Sequence, residues 1–366
     1  MRHLDRSVRT LFALLTLALI LMPACKKAAP EGGGAPATGS AATPAKAAEP
    51  ATVTLQGSGA SFPAPLYSRW FREFSTKNPN TRVNYQATGS GAGIKAFTAG
   101  QTDFGASDAA MTDEEIKQAQ DNVVLLPMTA GHIVLAYNLP EVKELKLSRD
   151  AYAGIFLGEI TKWNDPKIAS ENPGVKLPAT AITPVNRSDG SGTTFVFTQH
   201  LSAISEKWKK GPGTGKSVNW PAKAAVGGAK NDGVAALIQR TPGAIGYIEY
   251  VFAATSNQPT ATLQNKAGKY VAPTPEAAAA ALSHVELPAD LRAWVTDPEG
   301  DDSYPIATYT WILAKKKYGD KTKSDSIKAL LKWCLTDGQA LSKELHYLPL
   351  PASVIEKVQK AAETIE

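Results

Sequence analysis

The chain has 366 residues, a length that accommodates about two domains of ordinary size. With 43% hydrophobic and 20% charged residues it has the composition of a globular protein, not of a disordered or fibrous one. The net charge of +5 gives no lead to a partner: residues 1–52 carry six bases and three acids, and the rest is close to balance at 33 bases against 31 acids. No long basic stripe or RNA-reading aromatic motif accompanies them, which argues against nucleic acid as a partner.

The first element in chain order is a processing signal. Arg2, Arg6 and Arg9 precede an apolar run at 11–22, followed by Ala24 and Cys25. Such a run suits the core of a signal peptide but falls short of the ~20 residues needed to span a bilayer. Residues 1–24 are therefore expected to be a lipoprotein signal peptide, with Cys25 as the lipidated residue. Acylation supplies the stable attachment to a membrane that one short apolar run does not. The triplet before Cys25 lacks the preferred Leu at its first position, where Met22 stands. Residues 25–52 are almost all Ala, Pro, Gly, Lys, Thr and Glu and read as a flexible tether. The second cysteine, Cys334, lies in an apolar pattern and is expected to be a small buried hydrophobe.

From Val53 onward, strand-like and helical runs alternate. Strands are expected at 83–87, 104–106, 123–127, 133–137, 182–185 and 245–249, and helices at 67–76, 94–99, 113–120, 194–201 and 234–240. Thr112 followed by Glu115 forms a capping box for the third of these helices. Residues 277–281 belong to a further helix, and the last 44 residues look purely helical. The alternation argues for an α/β architecture. No second long apolar segment follows the first, so no membrane-crossing helix is expected in the mature chain.

Three segments share one design, in which Gly, Ser or Thr residues end a strand and lead into a helix. They are Gly57-Ser58-Gly59-Ala60-Ser61-Phe62-Pro63, Thr88-Gly89-Ser90-Gly91-Ala92-Gly93, and Arg187-Ser188-Asp189-Gly190-Ser191-Gly192-Thr193-Thr194. Glycine admits a ligand close to the backbone, hydroxyls donate hydrogen bonds, and the amides of a helix start favour an anion. Each loop alone is explained by a turn with a Ser or Thr cap; three of them can converge on one oxyanion. Arg187 adds a charge able to offer two parallel N–H bonds, and Asp189 is near enough to hold its guanidinium. A carboxylate, Asp108, follows Phe104-Gly105-Ala106-Ser107. At an anion site it makes sense if the ligand carries a proton. Hydrogen phosphate can donate to Asp108, whereas fully ionised sulfate leaves the carboxylate unpaired beside another anion.

These segments resemble those of the periplasmic phosphate-binding proteins of the phosphate-specific ABC importer, the PstS family. The resemblance runs from about Thr54 to the C-terminus. It includes 57–65, Asp103-Phe104-Gly105-Ala106-Ser107-Asp108, 187–193, Glu159-Ile160-Thr161-Lys162-Trp163 and Pro242-Gly243-Ala244-Ile245-Gly246-Tyr247. By matching position, it implies that Ser61, Phe62, Ser90, Asp108, Arg187, Ser191, Gly192 and Thr193 bind phosphate, with Asp189 orienting Arg187. Ser61 stands where the family often has Thr, and Gly91 departs enough to stay outside the core set. The implied fold is α/β, a two-lobed periplasmic-binding-protein fold (type II-like) with hinge strands and the ligand cleft between lobes. Lobe 1 would comprise 53–130 plus 303–366 and lobe 2 131–302, with crossings near 131–137 and 306–313.

The resemblance also implies an extracytoplasmic monomer that needs no cofactor and delivers inorganic phosphate to ABC permease subunits. A phosphate sensor, adhesin or scavenger would use the same cage. A phosphatase on this fold is the competing class. Against it, His3, His132, His200, His284 and His346 are scattered with no metal-ligand spacing, and no Gly-x-Ser-x-Gly elbow or Gly-Lys-Ser/Thr phosphate loop is present.

Overall fold

In the computed structural model, which describes residues 52–366, strands and helices alternate along most of the chain. The expected signal peptide, Cys25 and nearly all of the tether lie outside the described residues. The chain begins with β1 (Val53–Gly59), α1 (Ala64–Lys77), β2 (Thr81–Ala87), α2 (Ser90–Thr98), β3 (Phe104–Ser107), α3 (Asp113–Gln118) and β4 (Val124–Tyr137). It continues through β5 (Lys146–Leu147), α4 (Arg149–Leu157), α5 (Pro166–Ala169), β6 (Thr183–Arg187), α6 (Gly192–Ile204) and α7 (Glu206–Lys210). Next come β7 (Val226–Gly228), α8 (Lys230–Arg240), β8 (Ala244–Glu249), α9 (Tyr250–Thr255), β9 (Thr262–Gln264), β10 (Tyr270–Val271) and α10 (Pro275–Ser283). After β11 (Ala307–Ala314), α11 (Lys321–Leu335), α12 (Asp337–Glu344) and α13 (Ala352–Glu363) complete the fold.

Eight strands form one sheet in the order β2-β1-β3-β11-β4-β8-β6-β7, and β10-β9-β5 form a second, small sheet. At one end of the large sheet β2, β1 and β3 are parallel; at the other β8, β6 and β7 are parallel. β11 and β4, antiparallel to their neighbours, join the two ends. β4 pairs with β11 as far as His132 and with β8 from Ile133 onward, so this one strand passes from one half of the sheet to the other.

The residue pattern accounts for the helices that flank the first half. α1 places Leu66, Tyr67, Trp70, Phe71 and Phe74 on one buried face, and Pro65 occupies its first turn, where a missing N–H costs nothing. The capping box of α3 is present: Thr112 Oγ1 accepts from Glu115 N at 3.2 Å, and Glu115 Oε2 accepts from Thr112 N at 3.0 Å.

Two expectations need correction. The runs at 123–127 and 133–137 are one strand. Proline donates no ladder hydrogen bond, which argues for a break at Pro127, but the register slips there: Thr310 faces Thr129 while Trp311 faces Pro127. The bulge at Met128 absorbs the proline and lets β4 continue. The last 44 residues are not purely helical either. Between α12 and α13, Leu348 exchanges both backbone hydrogen bonds with Ala130, at 3.1 and 2.9 Å, pinning the tail to the middle of β4.

Candidate functional site

All eight expected ligand residues, and Asp189, lie in segments that follow the last residues of parallel strands or close them. β1 leads to Ser61 and Phe62, β2 to Ser90, β3 to Asp108, and β6 ends at Arg187 and leads to Ser191, Gly192 and Thr193. This is where open α/β sheets gather their ligands. The two halves of the sheet bring these segments face to face.

Their approach is close. Gly91 N donates to Gly190 O across the cleft at 2.9 Å. Gly89 has φ +92, and a Cβ there would lie 2.4 Å from Asp189 Oδ2, so only glycine fits. A Cβ on Gly192 would lie 2.6 Å from Ser90 Oγ and 2.7 Å from Asp108 Oδ2. The side chains of Ser61, Ser90, Asp108, Arg187, Ser191 and Thr193 are all buried.

Asp108 sits at the centre. Its Oδ1 accepts from Thr310 Oγ1 at 3.0 Å, and its Oδ2 faces Thr193 Oγ1 at 3.5 Å. Its amide donates to Ser90 Oγ at 3.3 Å. Burial pushes the carboxyl up to about 7, against the opposing pull of the Thr310 hydroxyl, the Arg187 charge and the Thr193 and Ser90 hydrogen bonds.

Arg187 is oriented from several sides. Nε and Nη2 donate to Asp189 Oδ1 and Oδ2 at 2.8 and 2.6 Å, and Nη1 reaches Thr193 Oγ1 at 3.3 Å. The backbone amide of Arg187 donates to the Tyr247 hydroxyl at 3.0 Å. The sequence leads one to expect two parallel N–H bonds from Arg187 to an oxyanion, with Asp189 holding the guanidinium, and does not specify which edge each would use. In the structure Asp189 takes the Nε/Nη2 edge and Thr193 Oγ1 accepts one Nη1 hydrogen, so one hydrogen each of Nη1 and Nη2 is not engaged by these partners. Asp189 is itself held by Lys230 N at 2.9 Å. Burial would raise its carboxyl, but the Arg187 hydrogen bonds and charge outweigh that and hold it below the usual range.

The remaining residues act through their main chains and hydroxyls. Ser191 caps α6, its Oγ accepting from Thr194 N at 3.0 Å, and its own amide is bound to Lys216 O at 2.8 Å. The next two amides, of Gly192 and Thr193, are first-turn donors that the helix itself does not use. Phe62 buries its ring against Gly131, and its carbonyl accepts from Tyr347 Oη at 2.6 Å.

Two site residues escaped sequence reasoning. Asn231, fully buried in the first turn of α8, bonds Ser61 Oγ through its amide at 3.2 Å and through Nδ2 at 3.1 Å, and reaches Thr193 Oγ1 at 3.3 Å. Thr310 orients Asp108 from β11. A signal for Asn231 existed in Gly227-Gly228 leading from a strand into a helix, the same design as the other three loops. Thr310 stands in an apolar strand and gives no such signal.

Other motifs of the sequence reading are structural. Trp163 Nε1 donates to Gly243 O at 3.0 Å, joining the segment 159–163 to the turn at 242–247. Asp103 accepts from Gln56 N at 2.8 Å and Lys323 Nζ at 2.7 Å, far from the cage. The loop at 211–225 touches the cleft through Lys216, which pairs with Glu115 on α3.

The comparisons with known proteins agree on one family. The PBP superfamily domain matches residues 44–337. The phosphate-binding protein PstS of Pasteurella multocida is 43% identical over 310 residues, covering 84% of this chain and 89% of that protein. The PstS protein of Methanocaldococcus jannaschii is 36% identical over 376 residues, covering 97% and 94%. Among solved structures, a high-affinity periplasmic phosphate-binding protein bound with phosphate superposes with a TM-score of 0.71 at 20% identity, covering 84% of this chain and 93% of that one. A phosphate-binding protein from Stenotrophomonas maltophilia gives a TM-score of 0.66 at 18% identity, covering 84% and 94%. These structures share the two-lobed fold, and the sequence relatives, at well above 30% identity over most of both chains, show the family. The chain belongs to the PstS family of phosphate-binding proteins, within the PBP superfamily.

Proposed function

We propose that this protein binds inorganic phosphate outside the cytoplasmic membrane and delivers it to an ABC-type phosphate permease, acting as a receptor and not as an enzyme. The observation that carries the reading is the presence of both Arg187 and Asp108, buried, in one cage: a cation held by Asp189 would attract the oxyanion, and a carboxyl poised near neutrality would accept its proton. The names of the sequence relatives support both the ligand and the binding role.

Ser61, Phe62, Ser90, Asp108, Arg187, Ser191, Gly192 and Thr193 would hold phosphate, and Asp189 would orient Arg187. Residues 53–130 with 303–366 would move as one lobe and 131–302 as the other, with β4 and β11 at the hinge. Closure on a ligand touched by both lobes is a population shift driven by differential contacts. Cys25 would carry lipid and hold a monomer at a membrane. Among the described residues no helix is long and apolar enough to cross a membrane.

The test is phosphate uptake by cells lacking their own phosphate-binding protein. Expression of this chain together with its cognate permease restores uptake at low phosphate, and Arg187→Ala does not. Equal uptake with both chains contradicts the proposal.

A further inference from the structure

Asn231 connects groups that the cage needs and does so with donors alone. Its Oδ1 accepts from Glu249 N at 3.1 Å. A backbone N–H donates only, so this bond fixes the amide orientation and turns Nδ2 toward the two hydroxyls. The amide N–H and Nδ2 of Asn231 then both donate to Ser61 Oγ, at 3.2 and 3.1 Å. The second hydrogen of Nδ2 goes to Thr193 Oγ1 at 3.3 Å, which also accepts from Arg187 Nη1 at 3.3 Å.

A hydroxyl has two acceptor lone pairs and one proton. On Ser61 and Thr193 both lone pairs are committed to groups that cannot accept in return. Their protons are therefore the only hydrogen-bonding capacity these hydroxyls have left, and that of Thr193 makes a long contact with Asp108 Oδ2, at 3.5 Å, that a ligand would take over. Ser90 and Ser191 differ: each accepts one hydrogen bond, from Asp108 N and Thr194 N respectively, and each keeps a lone pair.

We propose that Asn231 is a specificity-determining residue that forces Ser61 and Thr193 to act as donors only, so that the proton of a bound oxyanion is directed to Asp108. The inference rests on the phosphate reading above. Asn231 acts through the two hydroxyls and is a positioning residue. Without it, Ser61 and Thr193 regain the freedom to accept as well as donate, and the cage distinguishes a protonated oxyanion from an unprotonated one less sharply.

The test is calorimetric titration of the whole chain with phosphate and with sulfate, comparing the parent with Asn231→Ala. The expected result is a weakening of phosphate binding by about tenfold and a smaller phosphate-to-sulfate ratio. In a double-mutant cycle, Thr193→Val is expected to reduce that ratio less in the Asn231→Ala background than in the parent. A ratio equal to that of the parent, or strictly additive losses in the cycle, overturns the proposal, because a merely structural Asn231 would lower affinity without touching selectivity. Should Asn231→Ala not fold, the isosteric Asn231→Asp is read instead. Its carboxylate draws both hydroxyl protons away from the cage, so phosphate binding is expected to drop by at least tenfold, and parent-like affinity and selectivity overturn the proposal. A parent that binds no phosphate at all defeats the ligand reading and is recognised before any variant is compared.

Discussion

Arg187 and Asp189 form a two-point ion pair, Nε to Oδ1 at 2.8 Å and Nη2 to Oδ2 at 2.6 Å, with the arginine side chain almost wholly buried and the aspartate on its outer side. The pair fixes the plane of the guanidinium before any ligand arrives. Ordering costs that would otherwise oppose binding are thus met within the protein.

Asp189→Asn keeps the shape of the side chain but removes the charge and one acceptor. The guanidinium loses its fixed plane, and phosphate affinity is expected to fall by roughly tenfold, the scale of one charge-assisted hydrogen bond. Arg187→Lys should fare worse, because an ammonium cannot hold Asp189 at two points and face the ligand as well. Titration of both variants with phosphate checks the order.

Asp108 governs selectivity, and its ionisation sets the pH window. With a pKa raised to about 7, the carboxyl is mainly charged above neutrality and mainly protonated below it. A protonated Asp108 is a donor and no longer repels an anion that carries no proton. Sulfate binding is therefore expected to be undetectable at about pH 8 and to emerge toward about pH 5.5. Asp108→Asn should bind sulfate at both. A parent equally blind to sulfate at both values contradicts the role given to this carboxyl.

Glu249 carries a second buried acid. Burial raises its carboxyl well above the ordinary value, while the bond from Val251 N to Oε2 at 3.0 Å pulls the other way. For an acid whose pKa is raised on folding, the folded state holds the extra proton between the unfolded and the folded value, so stability falls as pH rises across that window. Glu249→Gln removes this dependence. The melting temperature of the variant should decline less between about pH 5 and pH 8 than that of the parent, and identical slopes would refute the assignment.

Lys216 and Glu115 pair across the mouth of the cleft, both largely screened from solvent. Glu115 also closes the capping box of α3, so the lysine is the cleaner site to change. Lys216→Ala should speed phosphate release a few-fold and leave the association rate nearly unchanged, in keeping with a partly buried ion pair worth up to about 1 kcal/mol. Stopped-flow measurement of both rates decides it. A slower association with unchanged release would mean that Lys216 steers the ligand and does not latch the cleft.

The sequence disclosed the chemistry of the site better than its wiring. Gly-Ser-Thr loops, Asp108 and Arg187 are local signals, because each reflects what a short stretch of backbone must do next to an anion. Asn231 and Thr310 were not legible, since their roles depend on partners 170 and 202 residues away in the chain. The orientation of Arg187 was half legible: Asp189 is two residues away, but which edge of the guanidinium it would occupy depends on three-dimensional geometry. In the fold, periodicity found the longer elements. It split β4 into runs at 123–127 and 133–137, and only pairing with β11 reveals one strand with a bulge beside Pro127. Strands of two or three residues, such as β5 and β10, are too short for any period to show.

The most direct test of the account is calorimetric titration of residues 52–366, which lie within one compact unit, with phosphate and then with sulfate after bound ligand has been stripped by unfolding and refolding. The account predicts a one-to-one phosphate isotherm of micromolar or tighter affinity, with no response to sulfate near pH 8. A correctly refolded protein that ignores phosphate, or one that binds both anions alike, would contradict it.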